Sequence, residues 1–202
     1  RRIKMIPIYT LSTGLYITLG VIALIVLVIV GFLIKTYNVL VNLRNKVRNS
    51  WSQIDVQLKR RFDLIPNLVE TVKGYAKHES EIFGAFAEAR DMYSHATKTG
   101  SVGDAAKAEQ GLEGALSRLI AVQEQYPDLK ANENFKSLME QLNETEDKIA
   151  FSRQFYNDNV MEINNKIEMF PTNIVAGMFG FKQEPYFSVD EKERENVKVS
   201  FK

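Results

Sequence analysis

Residues 5–34 carry no charged side chain, and residues 15–34 are apolar except for Tyr16 and Thr18. Twenty residues at about 1.5 Å rise cross a hydrocarbon core of about 30 Å, so the pattern predicts a transmembrane helix over residues 15–35. A secretory signal peptide has a shorter apolar region with small residues and a cleavage site soon after it. Here the run ends at Lys35-Thr36-Tyr37 and passes straight into a helical pattern. That favours a retained single-pass anchor. Residues 1–14 are expected to form an N-terminal tail, with Met5 as a plausible native start and residues 1–4 as an added stretch.

Beyond the span, apolar positions recur in steps of three and four. Val47, Trp51, Ile54, Leu58 and Phe62 make one seam; Ile65, Leu68, Val72, Tyr75, Ile82, Phe86, Ala89 and Tyr93 make the next, with Glu79 as its polar member. Pro66 separates the two, and a turn or a kink is expected near residues 61–66. The glycines and small polar residues of 98–104 predict a loop. A third helix follows on Ala105, Ala108, Leu112, Ala115, Leu119, Val122 and Tyr126, with Gly111 and Gly114 suggesting close helix approach, and it stops before Pro127. Asn132 is placed to cap a fourth helix, whose seam runs from Phe135 to Phe170 and ends at Pro171.

The predicted fold is therefore all-α: an N-terminal transmembrane helix followed by an elongated antiparallel four-helix bundle over residues 36–171. Residues 172–187 are apolar without a helical pattern. Their Phe179, Phe181, Tyr186 and Phe187 are costly in water, so the expected arrangement is a tail packed back on the bundle, with a partner-binding strip as the alternative. Residues 188–202 read as a charged, flexible end.

Composition removes several kinds of chemistry. The 202 residues contain no cysteine and two histidines, with a net charge of +1, so disulfides, thiolate zinc sites and a cysteine nucleophile are excluded. His78-Glu79-Ser80-Glu81-Ile82 starts like a zinc-protease helix but has Ile82 where the second ligand belongs. Gly100 and Gly103 lack the spacing of a phosphate-binding loop. Glu140, Glu144, Glu146 and Asp147 have no Glu-x-x-His companion for a di-iron bundle and read as a solvated face. No catalytic, cofactor or metal site is expected.

Charge distribution says more than net charge. Between Lys35 and Phe62 there are seven Lys or Arg and one acid, Asp55, a local balance of +6. Lys35, Arg44, Lys46 and Arg48 lie close enough to the span to contact an anionic membrane surface, at roughly 1 kcal/mol each. With residues 1–4 set aside, no basic residue precedes the span, and the positive-inside rule places the body in the cytoplasm. Aromatics suited to stacking on nucleic acid are sparse here, so no nucleic-acid partner is expected. Lys59, Arg60, Arg61 and Asp63 suggest an interhelical ion network or a docking surface for an acidic partner. Gly20 and Gly31, three turns apart, mark a candidate packing face within the membrane. Asn157, Asn159, Asn164 and Asn165 place polar groups along the fourth seam, a device that sets register or oligomer state.

Several blocks together resemble one family. Trp51-Ser-Gln-Ile-Asp-Val-Gln-Leu-Lys-Arg-Arg-Phe-Asp-Leu-Ile-Pro-Asn-Leu-Val-Glu, Tyr126-Pro-Asp-Leu-Lys-Ala-Asn-Glu-Asn-Phe, Phe155-Tyr-Asn-Asp-Asn-Val and Ala176-Gly-Met-Phe-Gly-Phe occur in the order seen in the LemA family. The resemblance covers roughly residues 37–187. It implies a bacterial inner-membrane protein with one span and a helical body, in a family with links to HtpX-type and FtsH-type membrane proteases and to magnetosome assembly.

The leading expectation is a membrane-anchored scaffold or adaptor without a catalytic centre. Its contacts would be lipid, a membrane protein such as an FtsH-like or HtpX-like protease, or further copies of itself. Docking is expected through Lys59, Arg60, Arg61, Asp63, Phe179, Phe181, Tyr186 and Phe187. The alternative is an extracytoplasmic helical-bundle sensor that binds a small ligand near Asp55, Tyr156 and Asn157.

Overall fold

The computed structural model describes the backbone of residues 8–188 and the side chains of residues 14–188. The readings made for residues 1–7 and 189–202, including the added stretch and the charged end, lie outside the described residues. All regular structure among the described residues is helical: α1 (Ile8–Lys73), α2 (Ser80–Thr99), α3 (Val102–Gln123), α4 (Pro127–Ala131), α5 (Glu133–Glu168) and α6 (Thr172–Met178).

Helix α1 is 66 residues long and contains Pro66 in its interior, so of the turn or kink expected near residues 61–66 the turn is absent. It also makes residues 8–14 helical where a tail was expected. Proline forfeits one intrahelical hydrogen bond and crowds the preceding turn, at about 3 kcal/mol. The ring of Pro66 is exposed. On the opposite side, Leu58, Phe62, Ile65, Leu68 and Val72 are all buried. Each contributes about 1.5–3 kcal/mol by burial, which outweighs the proline. The chain turns instead over residues 74–79, where Ala76 N–H donates to the Val72 carbonyl at 2.8 Å and Tyr75 and Glu79 leave the seam.

The first half of α1 is long and apolar enough to cross a membrane. Over residues 15–34 its side chains are exposed, apart from a partly covered Leu33. The second half pairs with α5 in antiparallel register. Lys46 faces Glu162, Ser50 faces Asn159, and Arg60 faces Glu144. Helices α2 and α3 form a tight hairpin turned by Gly100, whose φ of 67° suits glycine, and Ser101, whose hydroxyl accepts from Asp104 N–H at 3.2 Å. The expected loop over 98–104 thus shrinks to two residues. Gly111 faces Ala89 across this hairpin, where an added Cβ would sit 3.6 Å from the alanine methyl; Gly114 has open space.

The hairpin packs on the α1–α5 pair. One core joins Ile54, Leu58 and Phe62 of α1, Phe86 of α2, Leu112 and Leu119 of α3, and Leu142 and Ile149 of α5. At the far end, α4 is a single turn that the seam pattern did not reveal, with Pro127 at its start rather than only ending α3. Asn132 caps α5, its amide oxygen accepting from Phe135 N–H at 2.9 Å while its amide nitrogen donates to Tyr75 Oη at 2.9 Å. Tyr126 donates to the Glu79 carboxylate at 3.1 Å.

Residues 172–178, expected to be irregular, form α6. A Schellman turn closes it: Gly180 has φ 69°, its N–H donates to Gly177 O at 3.3 Å, and Phe181 N–H donates to Ala176 O at 2.9 Å. The chain then runs back along the α1–α5 pair as far as Phe187.

Candidate functional site

The basic cluster at residues 59–61 is divided by the helix surface. Lys59 and Arg60 are exposed, as is Asp63, while Arg61 is completely buried. Its two terminal nitrogens donate to Glu109 Oε1 of α3 and Glu146 Oε2 of α5, each at 3.2 Å. Arg153 of α5 approaches the other Glu109 oxygen at 3.6 Å. Burial pushes the Glu109 carboxyl above the usual carboxylate range, opposed by Arg153 and Arg61. Arg61 is thus an interhelical tie and not a docking residue. Sequence reasoning named Arg61 and Glu146 but missed Glu109 and Arg153. The signal for Glu109 was its spacing of four from Ala105 and three from Leu112, which puts it on the α3 seam.

Asp55, proposed as a ligand group, accepts a long 3.5 Å bond from the Tyr93 hydroxyl. Burial, then the Asp55 charge, pushes the Tyr93 phenol up to about 12. Its ring stacks on Phe62 at 4.3 Å between centroids. Tyr156 and Asn157, the other candidate ligand groups, serve the tail. The Tyr156 hydroxyl donates to Pro185 O at 2.8 Å, and burial raises its pKa. Asn157 exchanges two bonds with the Phe187 backbone, at 2.9 and 3.3 Å; Asn164 does the same with Glu184, at 2.8 and 2.9 Å. These amides replace strand-like partners for an extended segment. Asn159 donates to Ser50 Oγ at 3.3 Å. Of the four seam amides read as an oligomer device, Asn157, Asn159 and Asn164 therefore bond within the chain and Asn165 is exposed. Of the groups read as a sensor pocket, Asp55 pairs with Tyr93 while Tyr156 and Asn157 hold the tail.

Of the aromatics expected to dock a partner, Phe181 and Phe187 are buried. Phe187 lies 6.0 Å from the Trp51 ring, and Phe181 packs near Tyr37 beneath the Arg44 guanidinium at 5.0 Å. Phe179 and Tyr186 stay exposed. Arg44, read as a membrane-surface cation, is partly covered and stacked on the Phe181 ring. Lys46 reaches Glu162 at 3.7 Å, and Lys35 and Arg48 are exposed. Gly20 and Gly31 have open space where a Cβ would stand.

The outer face of the α1–α5 pair carries a groove of about 600 Å³ lined by Ser52, Gln53, Val56, Lys148 and Phe151. Phe151 is 74% exposed. Lys59 and Asp63 continue the same stripe of α1 at steps of three and four from Val56. Phe151 lies off the α5 seam, which is why seam reasoning passed over it.

Residues 50–201 match the LemA family model. The chain belongs to the LemA family. Among relatives, magnetosome protein MamQ 2 of Paramagnetospirillum magneticum is 30% identical over 185 residues, covering 80% of this chain and 68% of that protein. The magnetosome protein MamQ of Magnetospirillum gryphiswaldense is 29% identical over 191 residues, covering 82% and 70%. Protein LemA of Metamycoplasma hominis is 29% identical over 165 residues, covering 81% and 74%. The match begins at Ser50 of α1, so the part of this LemA-family chain that the model recognises starts with the Trp51 block and includes every residue of the Arg61–Glu109–Glu146 tie and the tail clamp. The apolar segment before it is consistent with membrane association.

Proposed function

We propose that this LemA-family protein is a single-pass, membrane-anchored scaffold, an elongated antiparallel four-helix bundle with no catalytic centre. It acts by holding other membrane proteins at a set height above the bilayer. The observation that carries the reading is the continuity of α1. The same helix is uncovered and apolar over residues 15–34 and becomes the central strut of the body without a break. From Ile34 to Lys73 it extends about 58 Å. A contact made anywhere along that strut is fixed in distance from the membrane, and the Arg61 tie locks α3 and α5 to it. On this reading the body lies in the cytoplasm, with Lys35 and Arg48 beside the anionic leaflet.

The contact face is the stripe Val56, Lys59, Asp63 with Phe151 across the groove. An apolar centre with charges at its edge suits protein–protein contact. The partner class is a membrane protease complex of the FtsH-like or HtpX-like kind, or a further copy of the chain. The kinship with magnetosome proteins supports a role in organising a membrane.

The test places a photo-crosslinking residue at Phe151 of the full chain in native membranes and identifies the adducts by mass spectrometry. Expected is a discrete adduct with a membrane protease or with a second copy, weakened by Val56→Glu. A chain that stays monomeric and free of adducts overturns the scaffold reading.

A further inference from the structure

Between Glu168 and Lys182 the chain carries no charged side chain. Helix α6, inside this segment, has two apolar faces rather than one. Val175 and Ala176 are buried against Leu40 of α1, with Leu33 and Val41 packed beside them. Ile174 and Met178 of α6 remain exposed, as do Met169 and Phe170 before it and Phe179 after it, each between 53% and 77%. An uncovered apolar face of this kind is uncommon on a surface that meets only water.

Its position says what covers it. Leu33, the partly covered side chain of the 15–34 run, is covered by the α6 cluster. Tyr37, one turn further on, meets the Phe179 ring at 4.8 Å. Leu33 and Tyr37 bracket the end of the apolar run, so α6 sits level with the boundary at which the anchor leaves the membrane. Lys35 and Lys166 stand beside the patch, and Glu168 and Lys182 flank the uncharged segment in sequence. Between α1 and α6 opens a cleft of about 190 Å³, walled by Phe32, Val39 and Leu40 with Lys35 and Lys166 at its edge.

We infer that α6, with Met169–Phe170 before it and Phe179 after it, is a second membrane contact that lies in the interface beside the anchor. Its outer face dips into the boundary between headgroups and acyl chains, and its lysines meet anionic headgroups. The occupant of this face is lipid. One attachment point leaves a rod free to swivel about its anchor; a second fixes its rotation and tilt, so the Phe151 face points in one direction along the membrane. This inference rests on the single-pass anchor of the proposed function.

The experiment uses the cysteine-free full chain in vesicles of three parts phosphatidylethanolamine to one part phosphatidylglycerol. Spin labels are attached to single cysteines replacing Ile174, Met178, Leu27 or Phe151, all exposed positions, and unchanged helicity confirms folding. Collision rates with oxygen, which enters bilayers, and with a nickel chelate, which stays in water, report depth. At Ile174 and Met178 the oxygen-to-chelate ratio should fall between the deep value at Leu27 and the aqueous value at Phe151. If Leu27 is deep while Ile174 and Met178 match Phe151, the interfacial contact is wrong and the anchor stands. Shielding of Ile174 and Met178 from both reagents means that protein covers the face, which also overturns the inference. An aqueous value at Leu27 overturns the anchor and the contact together.

Discussion

Replacing Arg61 with methionine removes the buried guanidinium that joins α1 to α3 and α5 and leaves most of its volume in place. What remains is Glu109, its side chain 8% exposed, with Arg153 at 3.6 Å as its surviving cation. Breaking a buried ion pair from one side costs about 3–5 kcal/mol, because the abandoned charge stays out of water. Arg153 still screens Glu109, and Glu146 is half exposed and regains solvent, so the expected loss lies near the lower figure, about 3 kcal/mol. Adding Glu109→Met should restore much of it, since an apolar replacement of both partners is often neutral. The pH dependence follows from the raised Glu109 carboxyl. An acid whose folded pKa exceeds its unfolded value near 4.5 favours the fold fully below that value, and the contribution is lost as pH rises through the folded one. Without Arg61 the folded pKa climbs further, so the deficit should be largest at high pH and narrow as the pH falls and Glu109 takes up its proton. Guanidinium unfolding of the full chain in detergent, followed by Trp51 fluorescence, reads this out. Trp51 is the single tryptophan and packs on Tyr156 and Phe187 in the body. A change below about 0.5 kcal/mol, a double variant no better than the single one, or a deficit that ignores pH refutes the account.

Pro66→Ala distinguishes a continuous α1 from two helices that meet at the proline. In a helix interior, alanine is favoured by about 3 kcal/mol over proline, and the exposed ring packs on nothing that offsets this. The unfolding midpoint should therefore rise by the equivalent of about 1–3 kcal/mol; an unchanged or lower midpoint would place Pro66 in the first turn of a separate helix. For the tail, Asn157→Ala with Asn164→Ala removes four side chain–backbone bonds at about 1 kcal/mol each. Trypsin cleavage after the exposed Lys182 should accelerate at least about tenfold, in step with the population of the detached tail. Equal rates in variant and parent would show that the aromatic contacts alone retain it.

The helical class, the apolar segment and most of the core positions were legible in the chain itself, although Leu40, Leu43, Leu116 and Leu129 were not, and the seam residues Tyr75 and Phe170 are exposed. Seam residues such as Ile54, Leu58, Leu112, Leu119, Leu142 and Ile149 are buried as their spacing requires, because helical periodicity and span length are local properties that need no knowledge of a partner. Local rules failed where two of them compete. Proline predicts a break at residue 66, and the apolar stripe predicts none; the balance tips only when α5 and the α2–α3 hairpin are present to bury that stripe. The same holds for charge. Lys59, Arg60 and Arg61 look alike in sequence, and a 100° rotation per residue turns one of them toward Glu109 while the others meet solvent. Asn157 and Asn164 carry equal polarity in any helix, yet their function depends on a segment about 20–30 residues later in the chain lying alongside them. α6 shows the remaining limit: at seven residues it is too short for a seam to declare itself, and its order comes from docking on Leu40. Periodicity sets which face of each helix is apolar. Which surface meets that face, and therefore which charges and amides are enclosed with it, is decided by the packing.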